Sequence, residues 1–476
     1  MRASIPRALV GCAGGAVLVA LAWADAAVAQ PKPGRASAPA PRASASVAPA
    51  PAPSVAKAPR AAIAAVAESI AKQLAPIRGR VLVAAGALAS DAGAPRGPQL
   101  VAAIVAQLSG RRADGSRTKA EPTTLPSARA LVKGDAALVY LTIEIGGGEL
   151  RVKADVYPVP GTVWARARDP EPAPSLHAFA RAPLDAEVRT YLTPIPLVAA
   201  HVDRARNFEG DVVALACGDF HGDGVPEILA VSRRRVTTLR LRGGRVSPIV
   251  SRSWPDLAKV NPAPLREPLA FATVAARDGT PFLDVGLTDR ASSVRLDGDL
   301  KLTDLLPGVA LPDGDGTACA RGGNVVVTGP VAPCARGDGA TYAATVGGKY
   351  DAFASARVVS PRGDAFVVWV GREADKLELR DDAGRKLFFD DVGAQLAVGD
   401  LDQDGDPEVI STIDTQNPFE DAVVVRSWSR AQPGKLRDVM RIPAAAGVRA
   451  LAVCPPDGPG RAPFVVATTD EIWVVR

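Results

Sequence analysis

Histidine is nearly missing from this chain, with three residues in 476, and methionine is rarer still at two. So few imidazoles leave little room for a proton relay or a histidine-bound zinc site. His177, His201 and His221 have no cysteine or serine at a recognisable spacing, and there is no Gly-x-Ser-x-Gly, His-Glu-x-x-His or Walker lysine. Each histidine is expected to be structural, and no catalytic constellation is predicted. Beyond residue 29 no run of about 20 apolar residues occurs, so no membrane-spanning helix is expected. The basic excess is also unfocused. The net charge is +5, but 44 of the 56 basic residues are arginine and no basic helix or aromatic-studded basic strand gathers them, which argues against nucleic acid. What remains is a globular composition, 47% hydrophobic and 22% charged, in a chain too long for one ordinary core. Two folded units are expected.

Residues 1–29 carry Arg2 and Arg7, an apolar run from residue 8 to 23, and Ala27-Val28-Ala29. This is the layout of a cleaved secretory signal. Leu9-Val10-Gly11-Cys12 imitates a lipid-attachment site, but the apolar segment follows Cys12 instead of preceding it. Residues 30–60 are almost wholly Pro, Ala and Ser with a few basic residues, too poor in large apolar groups to build a core. The protein is therefore expected to be exported, with its folded part on an extended spacer.

A small α+β domain is expected over 61–157. Ile63, Val66, Ile70 and Leu74 recur at helical spacing, Glu68 and Lys72 stand one turn apart, and Pro76 ends the run. A strand follows at 80–85. Pro98 opens a second helix with Leu100, Val101, Ile104, Val105 and Leu108 as its buried stripe. A third, over 127–133, is capped by Ser127. Val139, Leu141, Ile143 and Ile145, then Leu150, Val152, Ala154 and Val156, alternate with polar residues about a triple-glycine turn, which reads as a hairpin buried on one face. The proline-rich stretch 158–194 reads as a connection, with a short helix near 185–189. From 195 to the end, strand-length apolar runs follow one another between Gly, Asp and Pro clusters.

Within that region, residues 399–412 place Asp400, Asp402, Asp404, Asp406 and Glu408 in one stretch. Asp400, Asp402 and Asp404 fall at positions 1, 3 and 5 of a calcium loop. Gly405 permits the turn, Asp406 offers its carbonyl, and Glu408 closes position 9. An EF-hand would put glutamate at position 12 and continue as a helix. Here Ser411 holds that position, and the β-branched run from Val409 to Ile413 continues as a strand. A second copy offers Asp219, Asp223 and Glu227, but His221 replaces the oxygen donor at position 3, which leaves that loop either metal-free or of low affinity.

The two loops resemble the FG-GAP or VCBS repeat, the calcium-loop blade of integrin-α-like β-propellers. The resemblance implies a propeller over 195–476, laid out as six blades of roughly 40 to 50 residues, with calcium as its ion. The overall layout is also similar to periplasmic Tol-type propeller proteins, which join a small domain to a six-bladed propeller. The last unit, from residue 450, is one strand short of four. The missing strand is expected from residues 197 to about 204, pairing beside 472–475. Four cysteines beyond the signal segment allow two disulfides, Cys319 with Cys334 and Cys217 with Cys454. Arg233, Arg234, Arg235, Arg240, Arg242, Arg245 and Arg252 crowd the outer strands of the first blade, either to grip an anionic polymer or acidic partner or as a solvated hairpin. Arg-Gly-Asp triplets at 336–338 and 362–364 fall where turns are expected.

Together these readings describe a multidomain, monomeric protein of the periplasm, cell surface or extracellular space. It is expected to act as a non-catalytic binding or scaffold module toward an envelope or extracellular protein or polymer. The alternative is a propeller hydrolase or lyase whose site is made by loops at the channel mouth.

Overall fold

The computed structural model describes residues 61–476 except 113–114, 199–200, 224, 243–244, 259–261, 264–267, 278–279, 323–326, 335–348, 363 and 457–459. The signal segment 1–29, the spacer 30–60, Cys12 and the first Arg-Gly-Asp triplet lie outside the described residues. No helix among the described residues is long and apolar enough to cross a membrane.

The first unit is a mixed α/β sheet. Its strands lie in the order Ser116–Thr118, Val81–Ala85, Ala137–Gly146, Glu149–Pro158 and Leu176–Pro183, with Ala89–Ser90 beside the third. The pairs on the Val81–Ala85 side are parallel, whereas the last three strands form an antiparallel meander. The expected α+β domain thus has a parallel half, because the helix Gly97–Ser109 is a crossover between parallel strands. That helix and Ala62–Gln73 bury Ile63, Val66, Ile70, Leu100, Ile104 and Leu108 on one face of the sheet. Each stripe buries an apolar surface worth roughly 2 kcal/mol per large side chain. The third helix is Leu125–Leu131, and Thr124 caps it by accepting from the Ser127 N–H, so the cap falls before the residue expected.

The expected connection 158–194 is largely part of this sheet. In Leu176–Pro183, Ala178, Ala180 and Ala182 face the core while His177, Phe179 and Arg181 face solvent. Gln73 closes this edge strand: its Nε2 donates to the Phe179 carbonyl (2.8 Å) and its Oε1 accepts from the Phe179 N–H (3.1 Å). Ala186–Arg189 then forms a single helical turn capped by Asp185, whose carboxylate accepts from the Val188 N–H.

A β-propeller follows. Of the six units expected, five are antiparallel sheets of four consecutive strands each, over 212–253, 270–307, 309–350, 352–389 and 392–443. The other is composite. Val448–Val453, Phe464–Thr468 and Glu471–Val475 take their fourth strand from upstream, Val202–Arg206. The pairing starts at residue 202, further along than the expected 197–204, while Leu197 is buried among Ile410, Val425 and Trp473 as a plug. The inner strands pack in succession around the axis, and Val448–Val453 meets Val212–Gly218. In the second blade Ala270–Arg277 is the inner strand and Thr280–Leu287 the next.

Both disulfides form as expected, Cys319–Cys334 within one blade and Cys217–Cys454 between the first and last inner strands. They fit an oxidising compartment. The glycine before each acidic loop is a matter of space. A Cβ on Gly218 would lie 2.7 Å from Val274 of the next blade, and one on Gly399 would lie 2.7 Å from Val453 of the next. Each loop therefore begins where two inner strands touch.

Candidate metal centre

Strand Val392–Gly399 delivers Asp400 to the rim of the axial channel, and strand Glu408–Ile413 takes the chain back outward. Between them Leu401 is fully buried against the neighbouring blade, which pins the loop. The carboxylates at its start tie the backbone into a coil. Asp400 accepts from the N–H groups of Asp404 (3.1 Å) and Gly405 (3.0 Å), and Asp404 accepts from that of Asp406 (2.8 Å). Gly405 has φ +88°, and a Cβ there would sit 2.6 Å from Pro361, so no other residue fits.

One ligand oxygen each from Asp400, Asp402 and Glu408 lies within 4.8 Å of the others. Glu408 has no exposed surface. Its Oε2 accepts from the Leu401 N–H at 2.8 Å, and its Oε1 has no hydrogen-bond partner among the described residues. A buried carboxylate oxygen left unmatched costs on the order of 1–3 kcal/mol, which a cation would remove. Burial, and then the charges of Asp404 and Asp402, push the Asp400 carboxyl up to about 8. Burial and Asp404 raise Asp402 to about 7, and burial raises Glu408 well above the usual carboxylate range. A divalent ion of hard character fits this all-oxygen set.

Of the five carboxylates expected, the structure brings three together. Asp404 is an exposed residue whose carboxyl lies against that of Asp402, and Asp406 accepts from the Arg430 N–H at 3.3 Å. Two contacts were not anticipated from sequence. Arg189 of the first unit reaches Gln403 of the loop, and Gln403 itself donates to the Gly460 carbonyl at 3.0 Å. Neither residue has a ligand-like spacing, so only the fold reveals them.

The loop at Asp219 is built differently. Asp219 accepts from the Asp223 N–H at 3.0 Å, as Asp400 does from Asp404. His221 Nδ1, however, lies 2.9 and 2.7 Å from the two oxygens of Glu227, and Arg240 Nη2 lies 2.8 Å from both Asp223 and Glu227. No group of three metal-ligating side chains gathers there among the described residues. The remaining histidines also sit against carboxylates, His177 on Asp155 and His201 on Asp203.

An axial channel of about 1220 Å³ runs past Asp400 and Gln403, walled chiefly by small apolar residues of the inner strands such as Ala216, Ala272, Ala354 and Ala452. No protein-family profile matches the chain, and no curated protein matches it in sequence. Solved structures similar to it include a member of the DUF4221 family from Bacteroides vulgatus, at 8% identity and TM-score 0.34, covering 59% of this chain and 97% of that one. Another is Hsv2 of Kluyveromyces lactis, at 10% identity and TM-score 0.29, covering 56% and 71%. A third is a putative 6-phosphogluconolactonase from Bacteroides uniformis, at 15% identity and TM-score 0.29, covering 54% and 77%. At this level the likenesses bring no ligand or activity to the chain.

Proposed function

We propose that this chain is an exported, calcium-binding propeller of six FG-GAP/VCBS-like blades. In this reading it is a non-catalytic binding or scaffold module that meets a protein or polymer of the cell envelope or extracellular space. The observation that carries the metal reading is Glu408: fully buried, with one oxygen unmatched and two further carboxylates converging on it. Asp400, Asp402 and Glu408 would hold the ion, with Asp404 and Asp406 completing the loop. Calcium suits an oxygen-only site of irregular geometry better than magnesium, which demands a near-octahedral shell and holds its waters. The two disulfides support the exported setting. The scaffold reading is supported by the sequence, in which none of His177, His201 and His221 has a cysteine or serine at a recognisable spacing.

Calorimetric titration of the purified chain tests the metal. One calcium per chain is expected, with a Kd of about 10⁻⁴ to 10⁻³ M and weaker magnesium binding. At a hundred times Kd the ion would stabilise the fold by about 2.7 kcal/mol. If wild type and Asp402→Ala melt identically with and without millimolar calcium, the reading is wrong. Cross-linking in the native cell identifies the partner, and turnover in a broad hydrolase screen would replace the scaffold role.

A further inference from the structure

The two acidic loops share a frame but differ at one position on the neighbouring strand. Glu227 and Glu408 each lead the second strand of their blade, and each is fully buried. Across from Glu227 on the third strand stands Arg240, whereas across from Glu408 stands Ser427. Arg240 puts a single nitrogen 2.8 Å from both Asp223 and Glu227, at loop positions 5 and 9. His221 covers both oxygens of Glu227 from the other side. Both carboxylate oxygens of Glu227 are therefore engaged, Oε1 by His221 and Arg240 and Oε2 by His221. The second blade also buries an arginine against a carboxylate between its second and third strands, though in mid-strand and without an acidic loop: Asp284 faces Arg295, with nitrogen–oxygen distances of 2.7 and 2.6 Å.

We propose that the third-strand residue opposite the strand-leading carboxylate decides whether a loop takes a metal. Arg240 is a built-in cation that fills the Asp219 loop and excludes calcium from it. Ser427, small and neutral, leaves the Asp400 loop to an ion. An arginine at this point supplies one positive charge with two fixed hydrogen bonds, so the acidic pair is satisfied without metal. A divalent ion could enter only by displacing a guanidinium from two carboxylates, at the cost of leaving that charge half-buried. The comparison between loops rests on the cation reading of the Asp400 loop; the exclusion at Asp219 stands on its own contacts.

The experiment uses the full chain in the Asp402→Ala background, which silences the Asp400 loop, with calcium as the probe. Asp402→Ala should bind no calcium by calorimetry. Adding His221→Asp and Arg240→Ser should create one site per chain and make the melting midpoint rise with calcium. Asp402→Ala with Arg240→Lys, which keeps the charge, should fold and stay indifferent to calcium. Calcium binding by Asp402→Ala itself would overturn the proposal, as would a folded His221→Asp/Arg240→Ser variant that gains no site. If the altered loop fails to fold without metal, refolding on calcium supports the proposal and failure with calcium present overturns it. Wild type binding no calcium would refute the proposed function of the Asp400 loop alone, because the gained site at Asp219 is read independently.

Discussion

Arg189 donates from Nε and Nη2 to the single side-chain oxygen of Gln403, at 3.3 and 3.1 Å, joining the first unit to the acidic loop of the propeller across 214 residues. The arginine is 7% exposed; burial lowers its pKa, and the charges of Asp400, Asp91 and Asp402 offset this in part. Gln403 holds φ +58°, a left-handed turn that the loop imposes. The acidic loop thus also supplies the acceptor that holds Arg189 of the first unit.

Gln403→Ala should therefore loosen the first unit. Removing the acceptor leaves a buried guanidinium short of a partner, at a cost of about 1–3 kcal/mol. The expected readouts are a lower melting midpoint and faster proteolysis between the first sheet and Val202–Arg206. Unchanged proteolysis with a lower midpoint would mean that Gln403 serves the loop alone.

Asp313 is 6% exposed and accepts from Trp369 Nε1 at 3.2 Å. Burial, partly offset by that bond, pushes its carboxyl from 3.8 up to about 6. The folded state therefore holds a proton that the unfolded state releases between those values. Stability from this group is present below about pH 4 and is lost as pH rises through about 6, amounting to roughly 2–3 kcal/mol. Asp313→Asn keeps an acceptor for Trp369 without the charge, so it should melt higher than wild type at pH 8 and the gap should close toward pH 4. A gap that is constant with pH would place the effect elsewhere.

Long alternations of large side chains were legible in the sequence, and so were the acidic loops, whose chemistry lies within a few consecutive residues. The strand Leu176–Pro183 was not. Its inward residues, Ala178, Ala180 and Ala182, are too small to mark a buried face, and the outward Phe179 contradicts one. Arg240 was misread for another reason. Among seven arginines it looks like part of a solvated hairpin, and its role depends on cross-strand register with Glu227, which local sequence does not encode. The pairing of Cys217 with Cys454, 237 residues apart, was legible only once the repeat was laid out as a ring.

That disulfide ties the first inner strand to the last, and Cys319–Cys334 closes a short loop inside one blade. In the chain-entropy view a 15-residue loop is worth about 3 kcal/mol and a loop of a hundred residues about 4.7. Cys217→Ser with Cys454→Ser should therefore lower the melting midpoint more than Cys319→Ser with Cys334→Ser. Equal losses would show that ring closure does not depend on the covalent link.

The second closure is the strand Val202–Arg206, and its register makes a sharp prediction. His201 and Arg476 exchange both backbone hydrogen bonds, at 2.8 and 2.9 Å, and the Asn207 N–H donates to the Asp470 carbonyl at 2.8 Å. With Asp203 opposite Val474 and Ala205 opposite Ile472, the alternation of an antiparallel ladder turns the N–H groups of 203 and 205 toward Glu471–Val475 and those of 204 and 206 away. Proline lacks the N–H, so it is tolerated only where that group faces outward. Ala205→Pro should break a rung, strand the Ile472 carbonyl and open the composite blade, costing about 1–3 kcal/mol. Arg206→Pro, one residue on, should cost far less, because no ladder bond is lost. Hydrogen exchange at Glu471–Val475 checks the mechanism: faster exchange in Ala205→Pro, with Arg206→Pro like wild type. Equal destabilisation by both prolines would mean that the strand closes the ring through its side chains, not through its ladder.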